Sequence, residues 1–285
     1  VRILITGAGG QLGRELVDAF ESSATTPGGH EVVGLDRAAL DVVDGPAVRR
    51  VVADTGPDVI VHSAAWTAVD LCEGDPQRAE AINASGTRHV VSAAEQAGAR
   101  VVYLSTDYVF DGTKAQAYVE DDATSPLSVY GRTKLAGEVA TRPEDAVVRT
   151  SWVSGRHGAN MVKTILRLAG EHERLAFVDD QRGHPTFADD LAAAIVGLVE
   201  GGHAGTFHVT NQGATTWHGF AQAVLAAAGD DPARVDPITT AQMPRPAHRP
   251  ANSLLENRAL VDAGLPLLAD FREPLARLVA ELQQA

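Results

Sequence analysis

Apolar positions in the first half of the chain come in short, nearly continuous runs, separated by stretches of helical period. Residues 1–6, 31–35, 58–62, 100–105 and 146–150 are rich in valine, isoleucine and leucine and read as strands. Residues 11–21, 45–54, 75–97 and 128–141 carry apolar side chains three and four apart and read as helices. The third helix stops at Gly98 and the fourth before Pro143. A Ser/Thr/Pro/Gly-rich stretch, 22–29, reads as the loop before the second strand. Strands without polar alternation are buried on both faces, so the pattern predicts a doubly wound α/β fold: a parallel sheet with helices on either side.

After residue 150 the rhythm loosens. Helical patterns cover 158–169, 187–200, 217–228 and 271–282, with strands at 175–179 and 205–209 and a proline- and arginine-rich stretch at 243–250. Residues 1–150 are therefore expected to form the sheet domain. Residues 151–285 are expected to be mainly a smaller C-terminal lobe, with segments near 187–210 returning to the sheet. Open α/β sheets bind ligands at the C-terminal ends of their strands, and the lobe is expected to close over that edge.

Composition narrows the function. The formal net charge is −13, which repels phosphate backbones and argues against a nucleic-acid partner. No apolar run approaches the ~20 residues of a membrane span, so no membrane partner is expected. The opening run leads straight into glycines and lacks the layout of a signal peptide. A single cysteine, Cys72, excludes an internal disulfide and suits a reducing cytoplasm.

Three motifs carry chemistry. Gly7-Ala8-Gly9-Gly10-Gln11-Leu12-Gly13 follows a strand and opens a helix, with Gly7, Gly10 and Gly13 at the spacing of a dinucleotide-binding turn. Such a turn brings a pyrophosphate to a helix N-terminus and identifies the domain as a Rossmann NAD(P)-binding domain. Asp36 closes the second strand, where a carboxylate accepts a hydrogen bond from the adenosine ribose; Arg37 beside it suits a 2′-phosphate. Taken alone, Asp36 reads equally well as a solvated turn residue. The third motif is Tyr130-Gly131-Arg132-Thr133-Lys134. Its tyrosine and lysine share a helical face, and a lysine charge there would lower the phenol's pKa. With four tyrosines and three lysines, chance gives only roughly 0.04 such pairs in the chain. Thr106, one strand earlier, supplies a hydroxyl to complete a triad.

Together these residues resemble the extended short-chain dehydrogenase/reductase family along the full chain. Within it, six segments are similar to the dTDP-4-dehydrorhamnose reductases: SAAWTAVD (63–70), STDYVFDG (105–112), SPLSVYG (125–131), RTSWV (149–153), DQRGHPT (180–186) and RPANS (249–253). Trp66 departs from the tyrosine or histidine common there. The resemblance implies Thr106, Tyr130 and Lys134 as catalytic residues. It implies that Asp107, Tyr108 and Trp152 line a sugar site, with Arg249 and Asn252 helping to hold the substrate. It places Asp41, Val42, Ala64 and Ala65 along NADH or NADPH, with Gln11 and Leu12 in the glycine turn, and has Asn83 support the active-site backbone. The implied activity is reduction of the 4-keto group of a dTDP-linked 6-deoxy sugar. Rival readings are a nucleotide-sugar epimerase or 4,6-dehydratase, and a regulatory subunit that binds the cofactor without turnover. Some relatives use the position of Glu15 for Mg²⁺ at a homodimer contact. Only Asp189 and Glu281 offer further carboxylates, so Glu15 is read as a solvated helix-face residue and no metal requirement is expected.

Asp36→Ala is expected to raise the NADPH:NADH ratio of kcat/KM several-fold, because it removes a charge that repels a 2′-phosphate. An unmoved ratio would show that Asp36 does not reach the ribose.

Overall fold

The computed structural model describes residues 1–23 and 29–284, so most of the expected 22–29 loop lies outside the described residues. Six strands form the central sheet: Arg2–Thr6 (β1), Glu31–Leu35 (β2), Val59–His62 (β3), Arg100–Thr106 (β4), Ala146–Thr150 (β5) and Gly205–His208 (β6). Their order is β6-β5-β4-β3-β1-β2 and every pairing is parallel. The longer helices are Gln11–Ser22 (α1), Gly45–Thr55 (α2), Gly86–Ala97 (α3), Val129–Ala140 (α4), Met161–Glu171 (α5), Ala188–Glu200 (α6), Trp217–Ala227 (α7) and Arg272–Gln284 (α8).

Successive strand side chains point to opposite faces, and here both faces are apolar. Ile3, Ile5, Val61, Val102, Leu104 and Val148 pack under α1 and α6. Leu4, Ile60, Val101, Tyr103 and Val147 pack under α2 and α3. That is why the strands read as unbroken apolar runs. A separate core in the C-terminal half joins α5, α7 and α8, with Phe187, Phe220 and Phe271 fully buried. A strand pair, Leu175–Val178 with Val235–Ile238, completes it.

The helix expected over 75–97 runs unbroken from 76 to 97 but is not α-helical throughout. Short α-turns at Val69–Gly74 and Pro76–Ala79 lead into a π-helical turn, Glu80–Ser85, before α3 begins. Pro76 occupies the first position of its turn, and the Asp75 carboxylate caps the Arg78 N–H at 3.0 Å. The π-turn carries Asn83, and such turns recur at functional sites. The helix expected from 158 starts at Met161, because the Asn160 side chain accepts from the Lys163 N–H at 3.1 Å and fixes the cap there.

α4 lies very close to β4. A Cβ placed on Gly137 would sit 2.2 Å from the Tyr103 hydroxyl, whose ring is fully buried. Gly137→Ala is expected to destabilise the protein by about 1–3 kcal/mol through overpacking, outweighing a helix-propensity gain of about 1 kcal/mol. Urea unfolding measures it; an unchanged or raised midpoint would show that the helix can lift without cost.

Candidate active site

The glycine turn is dictated by close approach. Gly7 has φ +73°, and a Cβ there would lie 2.8 Å from the Ala64 backbone; one on Gly13 would lie 2.2 Å from the Gly7 carbonyl. No side chain caps the first turn of α1, which leaves its N–H groups for an anion. A cavity of about 410 Å³ extends from this turn along Asp36, Arg37, Asp41, Val42, Ala64 and Ala65. Gly9, outside the predicted glycine trio, lines it too; a Cβ there would come within 3.0 Å of the Asp36 side chain. Asp36 holds its own turn and lines the cavity at once: Oδ1 accepts from the Ala38 and Ala39 N–H groups at 2.9 Å. Asp41 accepts from the Val43 N–H at 3.1 Å. Gln11 faces the C-terminal half, donating to the Val153 carbonyl at 3.0 Å and accepting from Asn160 at 2.9 Å.

A second cavity, of about 450 Å³, shares Gly7 and Gly10 with the first. It brings together Leu12, Thr106, Asp107, Tyr108, Tyr130, Lys134 and Trp152. Thr106 ends β4 and Tyr130 opens α4, whose cap is the Ser128 hydroxyl accepting from the Gly131 N–H at 3.0 Å. The Tyr130 ring is buried and meets Tyr108 edge-on at 5.5 Å.

Burial governs the protonation states. It raises the Tyr130 phenol above its ordinary value; the Asp107 charge adds to this and a hydrogen bond with Thr106 opposes it. The expectation that Lys134 lowers this pKa does not match the geometry. Its ammonium donates to the Leu104 carbonyl at 2.5 Å and lies 4.2 Å over the Tyr103 ring, and burial brings its own pKa down to about 7. A phenol held neutral suits a proton donor.

The resemblance alone places Asn83 behind the active-site backbone; Thr87, His62, Glu138 and Trp217, which also build the site, escaped the motif reading. Asn83 accepts from the Trp66 N–H at 2.7 Å, donates to the Trp66 carbonyl at 3.1 Å and donates to the Thr133 hydroxyl at 3.2 Å. It thus ties the 63–68 segment to the Tyr130 helix. Thr87 donates to the Asn83 carbonyl at 2.7 Å, so its oxygen must accept from His62 Nε2 at 3.2 Å. His62 Nδ1 then accepts the Thr6 hydroxyl proton at 2.7 Å. Full burial, with the Lys134 charge adding, lowers the His62 pKa to about 3 and keeps the ring neutral, as this chain requires. Glu138, one turn beyond Lys134, takes a bidentate pair from Arg149 at 3.0 and 2.8 Å and a hydrogen bond from Ser105. Its i+4 spacing from Lys134 was the available signal. Trp217 stacks flat on Trp152 at 3.6 Å. Trp152 has φ +49°, a strained backbone for a bulky residue.

Two predicted substrate contacts, Asn252 and Arg249, do not line this cavity. The Asn252 amide is committed to backbone: it donates to the Lys114 and Gln116 carbonyls at 2.6 and 2.7 Å, and its oxygen accepts from the Leu254 N–H at 3.1 Å. It clamps the 112–118 loop. Arg249 pairs with Asp70 at 3.0 Å, and its charge reaches Tyr108. Glu15 is not a solvated residue either. It is buried and takes two hydrogen bonds from Arg156, at 2.9 and 3.0 Å, while Arg277 pairs with Asp189 at 2.8 Å and Asp190 at 2.9 Å. Among the described residues, no helix is long and apolar enough to cross a membrane.

Comparison with known proteins agrees with this geometry. A family model described as the RmlD substrate binding domain matches residues 1–284. A dTDP-4-dehydrorhamnose reductase of Streptomyces griseus is 43% identical over 283 residues, covering 96% of this chain and 91% of its own. A dTDP-4-keto-6-deoxy-D-glucose reductase of Streptomyces niveus is 42% identical over 268 residues, covering 93% and 91%. The crystal structure of a dTDP-4-dehydrorhamnose reductase from Bacillus anthracis in complex with NADP superposes with a TM-score of 0.92 at 36% identity, covering 98% of this chain and 99% of that one.

The Lys134 pKa of about 7 sets a further expectation. The charged fraction in the free protein falls as pH rises through 7, so NADPH affinity should weaken several-fold between pH 7 and 9. Lys134→Met should bind more weakly at pH 7 and show no such slope. Fluorescence titration measures both, and a wild-type affinity independent of pH would remove Lys134 from the cofactor site.

Proposed function

The chain belongs to the dTDP-4-dehydrorhamnose reductase family and is an NAD(P)H-dependent oxidoreductase, and on that premise we propose that it reduces the 4-keto group of dTDP-4-dehydro-β-L-rhamnose to give dTDP-L-rhamnose. One observation carries this reading: the Thr106 and Tyr130 hydroxyls and Lys134 line one cavity, continuous at Gly7 and Gly10 with the cleft beneath the uncapped N-terminus of α1.

The glycine turn fits a dinucleotide, since Gly7 and Gly13 let the turn pack tightly on its own backbone while the first N–H groups of α1 stay uncapped beside the cleft. Gly7, Gly10 and the first N–H groups of α1 would hold the pyrophosphate, Asp36 and Arg37 the adenosine ribose, and Asp41, Val42, Ala64 and Ala65 the adenine side. A bound reduced nicotinamide supplies the hydride. Tyr130 donates a proton to the oxygen that gains charge at C4, a step worth about 10²–10⁴-fold. Lys134 would hold the nicotinamide ribose. Thr106 fixes the ketone oxygen. Asp107, Tyr108 and Trp152 contact the sugar, and residues 151–285 supply most of the substrate lobe. The one cysteine and the cofactor suit the cytoplasm.

A dehydratase needs a base beside its threonine. Here Thr106 is followed by Asp107 and Tyr108, and burial pushes the Tyr108 phenol further from ionisation. The test is an NADPH-oxidation assay with the 4-keto-L-sugar nucleotide, its D-epimer and dTDP-glucose. Stoichiometric oxidation is expected with the L-sugar and no reaction with dTDP-glucose. Dehydration of dTDP-glucose without net NADPH consumption would overturn the proposal. Tyr130→Phe should keep cofactor affinity and lose at least tenfold in kcat; a smaller loss removes Tyr130 as the proton donor.

A further inference from the structure

A hydroxyl carries one proton, and the Thr106 hydroxyl stands in a chain that can run in either direction. Its oxygen lies 2.9 Å from Asp107 Oδ1, accepts the Tyr108 N–H at 3.2 Å, and hydrogen-bonds the Tyr130 phenol. An ionised Asp107 can only accept. Thr106 must then donate to it, and Tyr130 must donate to Thr106, so both protons point away from the cavity. A protonated Asp107 can donate to Thr106. With the Tyr108 N–H, that fills both lone pairs of the Thr106 oxygen, so Tyr130 can no longer donate to Thr106: the Tyr130 proton faces the cavity, and the Thr106 proton is free to pass from the Tyr130 oxygen to a ketone there.

We propose that Asp107, in its protonated form, is the positioning residue that aims the Thr106 and Tyr130 hydroxyls at the ketone. The surroundings favour that form. Asp107 is fully buried, and its second carboxylate oxygen has no hydrogen-bond partner among the described residues. An unpartnered oxygen is costly on a carboxylate and cheap on a neutral acid. The groups facing it are the Tyr108 phenol on its own turn, the Tyr130 phenol on α4 and the Ser253 hydroxyl on the strand Asn252–Ser253. Lys134 is held at the Leu104 carbonyl, and Arg249 is paired with Asp70. Burial pushes the Asp107 pKa up to about 6, with the nearby Ser253 and Thr106 hydroxyls and the backbone opposing it. The dianionic diphosphate of the substrate would raise it further.

The proposal rests on the reductase reading and is tested on the reductase reaction. kcat is measured from pH 5.5 to 8.5 with saturating NADPH and 4-keto-sugar nucleotide, which keeps Lys134 on the cofactor. The wild type should lose activity with rising pH, approaching tenfold per pH unit above the Asp107 pKa. In Asp107→Asn the amide N–H donates to Thr106 at every pH, so this slope should disappear, whatever the change in KM. Thr106→Val breaks the chain, and its residual rate should lose the slope too. NADPH fluorescence titration reports whether each variant is folded. A wild-type kcat flat over this range, a slope retained in either variant, or a folded Asp107→Asn more than 100-fold slower at every pH would overturn the proposal. The last outcome would mean that Asp107 works as an ionised acceptor. Failure of the reductase reading is distinct: the wild type would then oxidise no NADPH at any pH.

Discussion

The site depends on how tightly α4 is drawn onto the sheet. Gly137 lets the helix lie against the Tyr103 ring, and one residue further the buried Glu138 carboxylate gathers Arg149 from β5 and Ser105 from β4. A buried, doubly bonded carboxylate–guanidinium pair is a poor source of net stability but a demanding geometric lock: removing either partner strands a charge. The lock fixes Thr106, the neighbour of Ser105, relative to Tyr130 and Lys134, which sit two turns and one turn before Glu138 on the same helix face. Without it Thr106 on β4 would have no fixed register with Tyr130 and Lys134 on α4.

Much of this was legible in the sequence. The strands carried their own signature because both faces are buried, and the Tyr130/Lys134 spacing survives any error in helix boundaries. The glycine turn was readable because its requirement is local: a positive φ at Gly7 and a close approach at Gly13. What escaped notice depends on contacts distant in sequence. Nothing near Asn83 announces a π-turn, since the turn is held by the Trp66 backbone 17 residues away. Nothing near Asn252 distinguishes a substrate contact from a clamp on the 112–118 loop. Glu15 looked solvated because its partner, Arg156, is 141 residues downstream.

Dryness is the common electrostatic theme. Asp107, Tyr130, Lys134 and His62 are all shifted toward their neutral forms, and for each the largest cause is burial rather than a neighbouring charge. In such a low-dielectric cleft Asp107 and Tyr130 hold their protons until a substrate places charge among them. That suits a reaction in which negative charge develops on one oxygen.

The face-to-face indoles of Trp152 and Trp217 have an optical consequence. Trp152 follows the strand that ends at Thr150, Trp217 opens α7, and both pack against the C-terminal core. Two parallel chromophores 3.6 Å apart couple their electronic transitions. The protein therefore carries a built-in exciton pair, whose circular-dichroism couplet depends on the spacing and tilt of the two rings. Any change in that spacing or tilt as substrate enters would register in the couplet without an added label.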